Sequence, residues 1–533
     1  MALKNKLTIA SIFLIGILGS LVILYSTHWG PWVFSDSSGY IISARNLIAG
    51  HGLGLYGPSG AFHPLTLHPP LFSLLIGFFG WIGIDLLTAA RWINVILFGL
   101  TISVVGLTIF TITHSPWLSI ICSILILSMP DLIDIYSGAM SEPLFIFTGL
   151  LSISLVLLFL RNNRYLVLLA AAIAVGLSII TRYAGIAFLI TGIVGLLLFS
   201  HRTWKNRIID VLVYGSVGSI FVIGWLAWLK LQSIENHSIQ LSKNLSEQLT
   251  NFRLSVMEIF WSWLPFTSHL PGYSYNLAKY LAIITVVIFL ILIGLIIWKM
   301  YKSSGKPFDL SSGLPFAILM VVFAIAYLII LTFSYLFTLP TPDLIARTLL
   351  PAHLALLLGF FMLCILFIRA WSSIKWVPIM LILLAVGVSI SYMSDSLKIA
   401  SQYHQNGSGY TSQYWRNSET IRTIEQLPVN IPLVSNESAA IYFYTNRPAY
   451  DISELINDKS AINTKYGDDP TDPAQTAFRS NGAALVLFNS SYWQFFRLYG
   501  DQTDKRLEYF SQGLYLYDQL GDGSIYFYNA FGK

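Results

Sequence analysis

Charge is scarce in this chain. Only 11% of its 533 residues are Asp, Glu, Lys or Arg, against 55% hydrophobic residues. Soluble domains carry about 25% charged residues, so a free-standing globular enzyme is excluded. Cysteine is nearly absent as well: Cys122 and Cys364 both lie inside apolar runs, which supplies neither a disulfide framework nor a metal spacing. There is no glycine-rich phosphate loop of the nucleotide-binding kind, no low-complexity tail and no evident internal repeat. The net charge of +5 comes mostly from short basic loops and gives no reason to expect nucleic acid as a partner.

Apolar runs, in contrast, recur from Leu7 to Ile390, many near the roughly 20 residues that a bilayer-crossing helix needs. The opening stretch has basic residues and an apolar core, as a signal peptide would. It lacks a clear small-residue cleavage site and is expected to stay as a first span, Leu7–Tyr25. Ten more spans are expected: Trp92–Ile112, Pro116–Met129, Pro143–Leu160, Tyr165–Ile180, Gly185–Phe199, Ile208–Leu229, Tyr280–Trp298, Leu314–Phe337, Leu349–Phe367 and Trp376–Ile390. The run Pro69–Gly83 is ambiguous, being short and opening on Pro-Pro.

Charge resolves the ambiguity. Basic clusters sit at Lys4/Lys6, Arg161/Arg164, Arg202/Lys205/Arg207, Lys299/Lys302/Lys306 and Arg369/Lys375, and short basic loops face the cytoplasm. All of them do so only if Pro69–Gly83 lies in the interface or re-enters on the outer side and does not cross. The expected protein is therefore an all-α polytopic membrane domain of about eleven spans, residues 1–394, with a small extracytoplasmic α/β domain at 395–533. The N-terminus is cytoplasmic in this topology. The long loop 232–279 contains an amphipathic helix, with Leu245, Leu249, Phe252, Val256, Ile259 and Phe260 at helical spacing. After Ser391, strand-like runs (IPLVS, AALVLF, GSIYFYN) alternate with helix-like ones (DPAQTAFRSN, SYWQFFRLYG, DKRLEYFSQGL).

The same topology gathers the chemistry on the non-cytoplasmic face. Asp36 opens a short amphipathic helix with Tyr40, Ile41, Ala44, Leu47 and Ile48 on its apolar side. It suits either a helix cap or a general base that deprotonates an acceptor hydroxyl. Asp131 and Asp134 follow one helix end, and Glu142 precedes Pro143 at the next helix start, where a carboxylate also complements the helix dipole. Arg182, in a tight turn, and Arg347, at a helix mouth, suit a phosphate at the membrane interface. Each equally suits a structural role: Arg182 by anchoring a helix end, Arg347 by pairing with Asp343. His63 and His68 each precede a proline, and the remainder of a metal signature is missing. His68 fits contact with an anionic substrate better than a metal site.

Taken together these stretches resemble the GT-C-type membrane glycosyltransferases, which include the protein O-mannosyltransferases and the aminoarabinose transferases of lipid A. The matching pieces are Asp36, Tyr40 and Ala44 in DSSGYIISARNL; His68-Pro69-Pro70-Leu71; Ala90-Arg91; Ser141-Glu142-Pro143-Leu144; Thr181-Arg182-Tyr183-Ala184-Gly185; and Arg347 with Pro351. Asn446-Arg447-Pro448 resembles the outer domain of bacterial members.

The resemblance implies transfer of a hexose or pentose from a polyprenyl-phosphate-linked donor, with inversion, to a protein, lipid or glycan acceptor at a bacterial plasma membrane. It implies Asp36 as catalytic base, with Glu142 as the candidate second acid and Tyr40, His68, Asp131, Asp134, Arg182 and Arg347 binding substrate. The O-mannosyltransferases follow the first-loop Asp with Glu, whereas Ser37 stands here. No cofactor is required by these parts, and a divalent cation is compatible with them. The competing classes are a flippase for lipid-linked glycans and a non-catalytic scaffold. A transporter tends to carry charges at mid-membrane and to show repeated halves, neither of which is evident.

Overall fold

The computed structural model describes residues 2–66, 68–232, 245–265, 273–304, 313–337, 344–370, 376–452, 476–477, 482–491, 504 and 513–528. Helices dominate up to residue 406. They are α1 (Ala2–Ser26), α2 (Ser35–Ile48), α3 (Leu71–Trp81), α4 (Leu86–Thr113), α5 (Pro116–Leu127), α6 (Pro130–Tyr136), α7 (Glu142–Asn162), α8 (Tyr165–Thr181), α9 (Ile186–Phe199), α10 (Trp204–Leu231), α11 (Leu245–Trp263), α12 (Tyr275–Ser304), α13 (Leu314–Phe337), α14 (Ala346–Ala370) and α15 (Trp376–Asn406). A small hairpin, β1 (Gly54–Tyr56) with β2 (Phe62–Pro64), lies between α2 and α3.

Eight of the expected spans are helices long and apolar enough to cross a membrane. Pro116–Met129 becomes the first arm of a pair, α5 and α6, bent by 61° and counting as a ninth span if the two are one. The bend falls where Pro130 opens α6: proline fits a first helical turn but cannot continue an earlier one. Tyr165–Ile180 and Gly185–Phe199 form the shorter apolar helices α8 and α9. Pro69–Gly83 yields the 11-residue α3, too short to span. The loop helix at 245–263 is present as α11 and falls outside the spanning set.

The chain divides into two compact units. One comprises residues 1–28, 66–72 and 88–405 and is a helix bundle. Small residues let its helices approach closely, as expected for packing in lipid: a Cβ on Gly16 of α1 would come within 2.7 Å of the Gly99 carbonyl oxygen of α4. Many of its interior hydroxyls donate to backbone carbonyls, as Thr101 does to Leu97, and some meet another side chain, as Ser152 and Tyr214 do at 2.9 Å, since an unmet donor in an apolar medium costs several kcal/mol.

The other unit comprises residues 29–65, 73–87 and 406–533. It carries α16 (Gln413–Arg416), α17 (Glu419–Gln426), β3 (Leu433–Ser435), α18 (Ser438–Thr445), β4 (Tyr450–Asp451), β5 (Ala484–Phe488), β6 (Leu514–Gln519) and β7 (Gly523–Tyr528). The sheet order is β4-β3-β5-β7-β6, parallel from β4 to β5 and antiparallel from β5 to β6. The three strand-like runs became β3, β5 and β7. The helix-like runs at 472–481, 491–500 and 504–514 lie almost wholly outside the described residues. Ile421, Ile424, Leu433, Ile441, Val486 and Phe488 form the core between sheet and helices.

The first-loop segment 29–65 is built into this α/β unit. The Tyr410 N–H donates to the Val33 carbonyl at 2.7 Å, the Thr411 hydroxyl to the Pro31 carbonyl, and Arg416 to the Trp29 carbonyl. Arg45 of α2 donates to the Asn446 side chain at 3.2 Å and to the Phe443 carbonyl; burial lowers the pKa of its guanidinium.

Arg447 donates to four carbonyls, those of Ile424, Leu427, Pro428 and Ile431, at 2.9–3.1 Å. It thereby closes the C-terminal end of α17, a place that favours a cation. Arg447→Ala is expected to lower the unfolding free energy of this unit by about 2–3 kcal/mol, read from chemical unfolding followed by tryptophan fluorescence. Arg447→Lys should recover only part of it, because an ammonium cannot reproduce the planar fork.

Candidate active site

A dense polar cluster of the helix bundle surrounds the turn Ser137–Ser141, between α6 and α7. Four other helices, α1, α4, α8 and α14, send side chains to it. From α1, the Ser26 hydroxyl meets that of Ser137 at 2.6 Å. From α4, the Asn94 amide donates to the carbonyls of Gly138 at 2.6 Å and Met140 at 3.3 Å. The α8 terminus brings Arg182, whose Nη1 lies 3.3 Å from Ser141 Oγ and 2.9 Å from Glu142 Oε1 at the start of α7. The first turn of α14 brings Arg347, whose Nη1 is 3.7 Å from Met140 Sδ. Arg91 of α4 fixes the end of α1 through the Thr27 hydroxyl and the Leu24 carbonyl.

The Glu142–Arg182 pair is unequally buried: the carboxylate is 3% exposed and the guanidinium 23%. Glu142 Oε2 is buried with no protein hydrogen-bond donor among the described residues. Tyr327 of α13 lies close enough to feel both charges. Arg182 reaches this position because α8 ends on it in an extended conformation and a single 3-10 turn, Tyr183–Gly185, starts α9. The turn is tight. A Cβ on Gly185 would lie 2.6 Å from the backbone of Ile179, so no other residue fits without moving the turn.

Asp131 and Asp134 lie on α6, not in a loop, and each has a partner. Asp131 Oδ2 is 3.3 Å from His353 Nδ1 of α14. His353 is stacked on Trp263 of α11, with ring centroids 4.5 Å apart, and its Nε2 is 3.5 Å from Tyr392 Oη of α15. Tyr392 in turn donates to the Trp263 carbonyl. Asp134 Oδ1 accepts from Tyr403 Oη at 2.7 Å. The two acids thus tie α6 to α14 and α15.

In the α/β unit, Asp36 stands at the second position of α2 and is partly exposed. The helix is capped by its neighbour: the Phe34 N–H donates to Ser37 Oγ at 2.7 Å. Ser37, the departure from the O-mannosyltransferase pattern, therefore supplies the cap. Tyr40 is fully buried on the apolar side of the same helix. His68, in the bundle unit, is partly buried just before α3, and His63 lies exposed on β2. Asp343 falls outside the described residues. Among the described residues no group of three or more His, Cys, Asp and Glu side chains could hold a metal.

Sequence reasoning missed Asn94, His353, Tyr392 and Tyr403. The signal for His353 was available, since an ionisable residue inside an apolar span is expected to have a partner or a function. The signal for Asn94 was a lone amide in an apolar run.

Comparisons with known proteins bear on the fold. Residues 85–234 match the sequence model of the dolichyl-phosphate-mannose-protein mannosyltransferase family. A comparison with curated protein sequences gives no match. The structure is similar to ArnT from Cupriavidus metallidurans bound to undecaprenyl phosphate, with TM-score 0.53 and 11% identity, covering 96% of this chain and 97% of that one. It is also similar to the oligosaccharyltransferase of Archaeoglobus fulgidus in complex with zinc and sulfate, with TM-score 0.52 and 12% identity over 96% of this chain and 73% of that one. A third similar structure is the Archaeoglobus fulgidus oligosaccharyltransferase AglB with an inhibitory peptide and a dolichol-phosphate, at TM-score 0.51 and 12% identity over 98% and 74% of the two chains.

Breaking a buried pair by removing one charge strands the other. Glu142→Gln is expected to cost about 3 kcal/mol of stability, and Glu142→Gln combined with Arg182→Met should cost less than the sum of the two single changes; unfolding in detergent provides the double-variant cycle. Gly185→Ala should cost about 1–3 kcal/mol by overpacking, and infrared or fluorescence melting would read it.

Proposed function

We propose that this chain, whose fold is that of the GT-C-type membrane glycosyltransferases, moves a sugar from a polyprenyl-phosphate donor to an acceptor hydroxyl or amine on the non-cytoplasmic face of the membrane. The observation that carries the reading is the convergence of two guanidinium groups, Arg182 and Arg347, on adjacent residues of one turn. A departing lipid phosphate needs positive charge at the moment its bond to the sugar breaks, and arginine offers a planar fork of donors for it.

In this reading Asp36 takes the proton of the acceptor. The acceptor atom forms a bond to the anomeric carbon as the bond from that carbon to the phosphate oxygen breaks, and in-line displacement inverts the configuration. The polyprenyl phosphate leaves with the bonding electrons, and its charge is met by the two arginines. Glu142 holds Arg182 in place; a carboxylate that is 3% exposed and already paired suits that work better than taking a proton from substrate. Asp131 and Asp134 shape the site by fixing α6. His68 is retained as a contact to the donor phosphate.

The protein reconstituted in lipid is expected to release polyprenyl phosphate from at least one polyprenyl-phosphate sugar when an acceptor is supplied. Asp36→Asn should abolish release while the protein inserts and melts normally. Arg347→Ala should lower kcat/KM by about 10²–10³-fold, the loss seen when a group stabilising developing charge is removed. Full activity in Asp36→Asn would overturn the assignment of the base. Movement of intact lipid-linked sugar across the bilayer, with no polyprenyl phosphate released, would replace the transferase reading with a flippase.

A further inference from the structure

We propose that the basic surface where α8 and α10 begin holds the headgroup of an anionic phospholipid, one whose phosphate is its only charge. This is the end of α8 remote from Arg182. Arg202, in the connection from α9 to α10, places its Nη1 2.9 Å from the hydroxyl of Tyr165, the first residue of α8, and 2.6 Å from Asp210 Oδ1 of α10. Arg207 donates to the carbonyls of Arg202 and Leu197. These bonds tie the two helix starts together and occupy Arg202, Arg207 and Asp210.

Three basic side chains remain. Arg164, His201 and Lys205 are exposed, and none makes a side-chain hydrogen bond or ion pair with another described residue. The placement of two of them runs against helix electrostatics. Arg164 is the N-cap of α8, and Lys205 is the second residue of α10; neither helix has a side-chain cap or an acid in its first turn. A helix start carries partial positive charge and favours an anion. Here each start carries a cation, and a local conflict of this kind marks a place shaped by something other than stability. An anion from outside relieves both conflicts at once.

Charge and surroundings select the occupant. Between residues 161 and 210 the single acid is Asp210, which is 0% exposed and held by Arg202. An ammonium-bearing headgroup would find no open carboxylate among them. Leu166, Trp204 and Leu212 are 81%, 63% and 60% exposed on helices of apolar, bilayer-compatible composition, and tryptophan favours the boundary between membrane and water. A lipid brings its phosphate to Arg164 and Lys205 while its chains stay against this apolar surface, whereas a soluble anion gains only the first of these. None of these residues has a part in the transfer reaction described above.

The test uses the full-length protein, delipidated in detergent, with phosphatidylglycerol, phosphatidylethanolamine or phosphatidylcholine added, read by native mass spectrometry and thermal unfolding. Phosphatidylglycerol should raise the melting temperature and bind about 25-fold more tightly than either zwitterionic lipid, at roughly fivefold for each of two cations. Arg164→Gln and Lys205→Gln should each lower that preference about fivefold, and the double variant should erase it with transferase activity unchanged. Lys398→Gln, at an exposed lysine of α15, should leave the preference as it is. Equal retention of the three lipids would overturn the proposal, as would an undiminished preference in the double variant. An equal loss in Lys398→Gln would also overturn it, since net charge and not this surface would then be responsible.

Discussion

The buried contact between Glu142 and Arg182 is the constraint on which the end of the helix bundle depends. The carboxylate has left water almost entirely and the guanidinium in large part, and that cost is met only while each faces the other at 2.9 Å. The pair joins the first residue of α7 to the last turn of α8, and Arg182 also reaches Ser141. The turn before α7 therefore cannot drift without exposing the carboxylate to an apolar medium. The remaining contacts to that turn, from Ser26, Asn94 and Arg347, are neutral or long-range polar contacts whose geometry is meaningful because the ion pair has already fixed the backbone. The tightness at Gly185 has the same logic: the chain gives up side-chain freedom there so that a charge can stand in one place.

The short helix α6 works as a cross-brace. A seven-residue helix is too short to be stable by itself, so it is defined by its contacts. Asp131 reaches α14 through His353, Asp134 reaches α15 through Tyr403, and the aromatic stack of Trp263 on His353 adds α11 to the same assembly. Carboxylates near the mouth of a bundle read naturally as substrate ligands. Here Asp131, Asp134 and Glu142 each hold a partner on another helix, namely His353, Tyr403 and Arg182.

The amount of this that the sequence discloses depends on range. Apolar runs, basic clusters and Pro130 are local features, and they account for the spanning helices, the short α3 and the bend between α5 and α6. The alternation after Ser391 likewise foretold β3, β5 and β7. The candidate residues Arg182 and Arg347 were legible because a charge at the end of an apolar run is conspicuous. Their partners were not: His353 lies 222 positions from Asp131, and Tyr403 lies 269 from Asp134. Nothing in local pattern pairs residues at such distances. The role of Ser37 as a cap was hidden for a different reason, since serine, aspartate and their neighbours all favour helix starts and only geometry says which oxygen takes the N–H.

The discontinuity of the α/β unit sets a schedule for its assembly. The helix at 35–48 is translated early, yet Arg45 meets Asn446, 401 positions later, an interval of roughly 20–80 s at common rates of synthesis. Throughout that interval residues 406–533 are not yet made, while Tyr40, Ile41 and Ala44 are buried in the finished chain. An amphipathic helix tethered beside a new span can rest its apolar side in the bilayer interface. The membrane would then act first as a holding surface for α2, and the second unit would close in one late step, after the last span has been inserted.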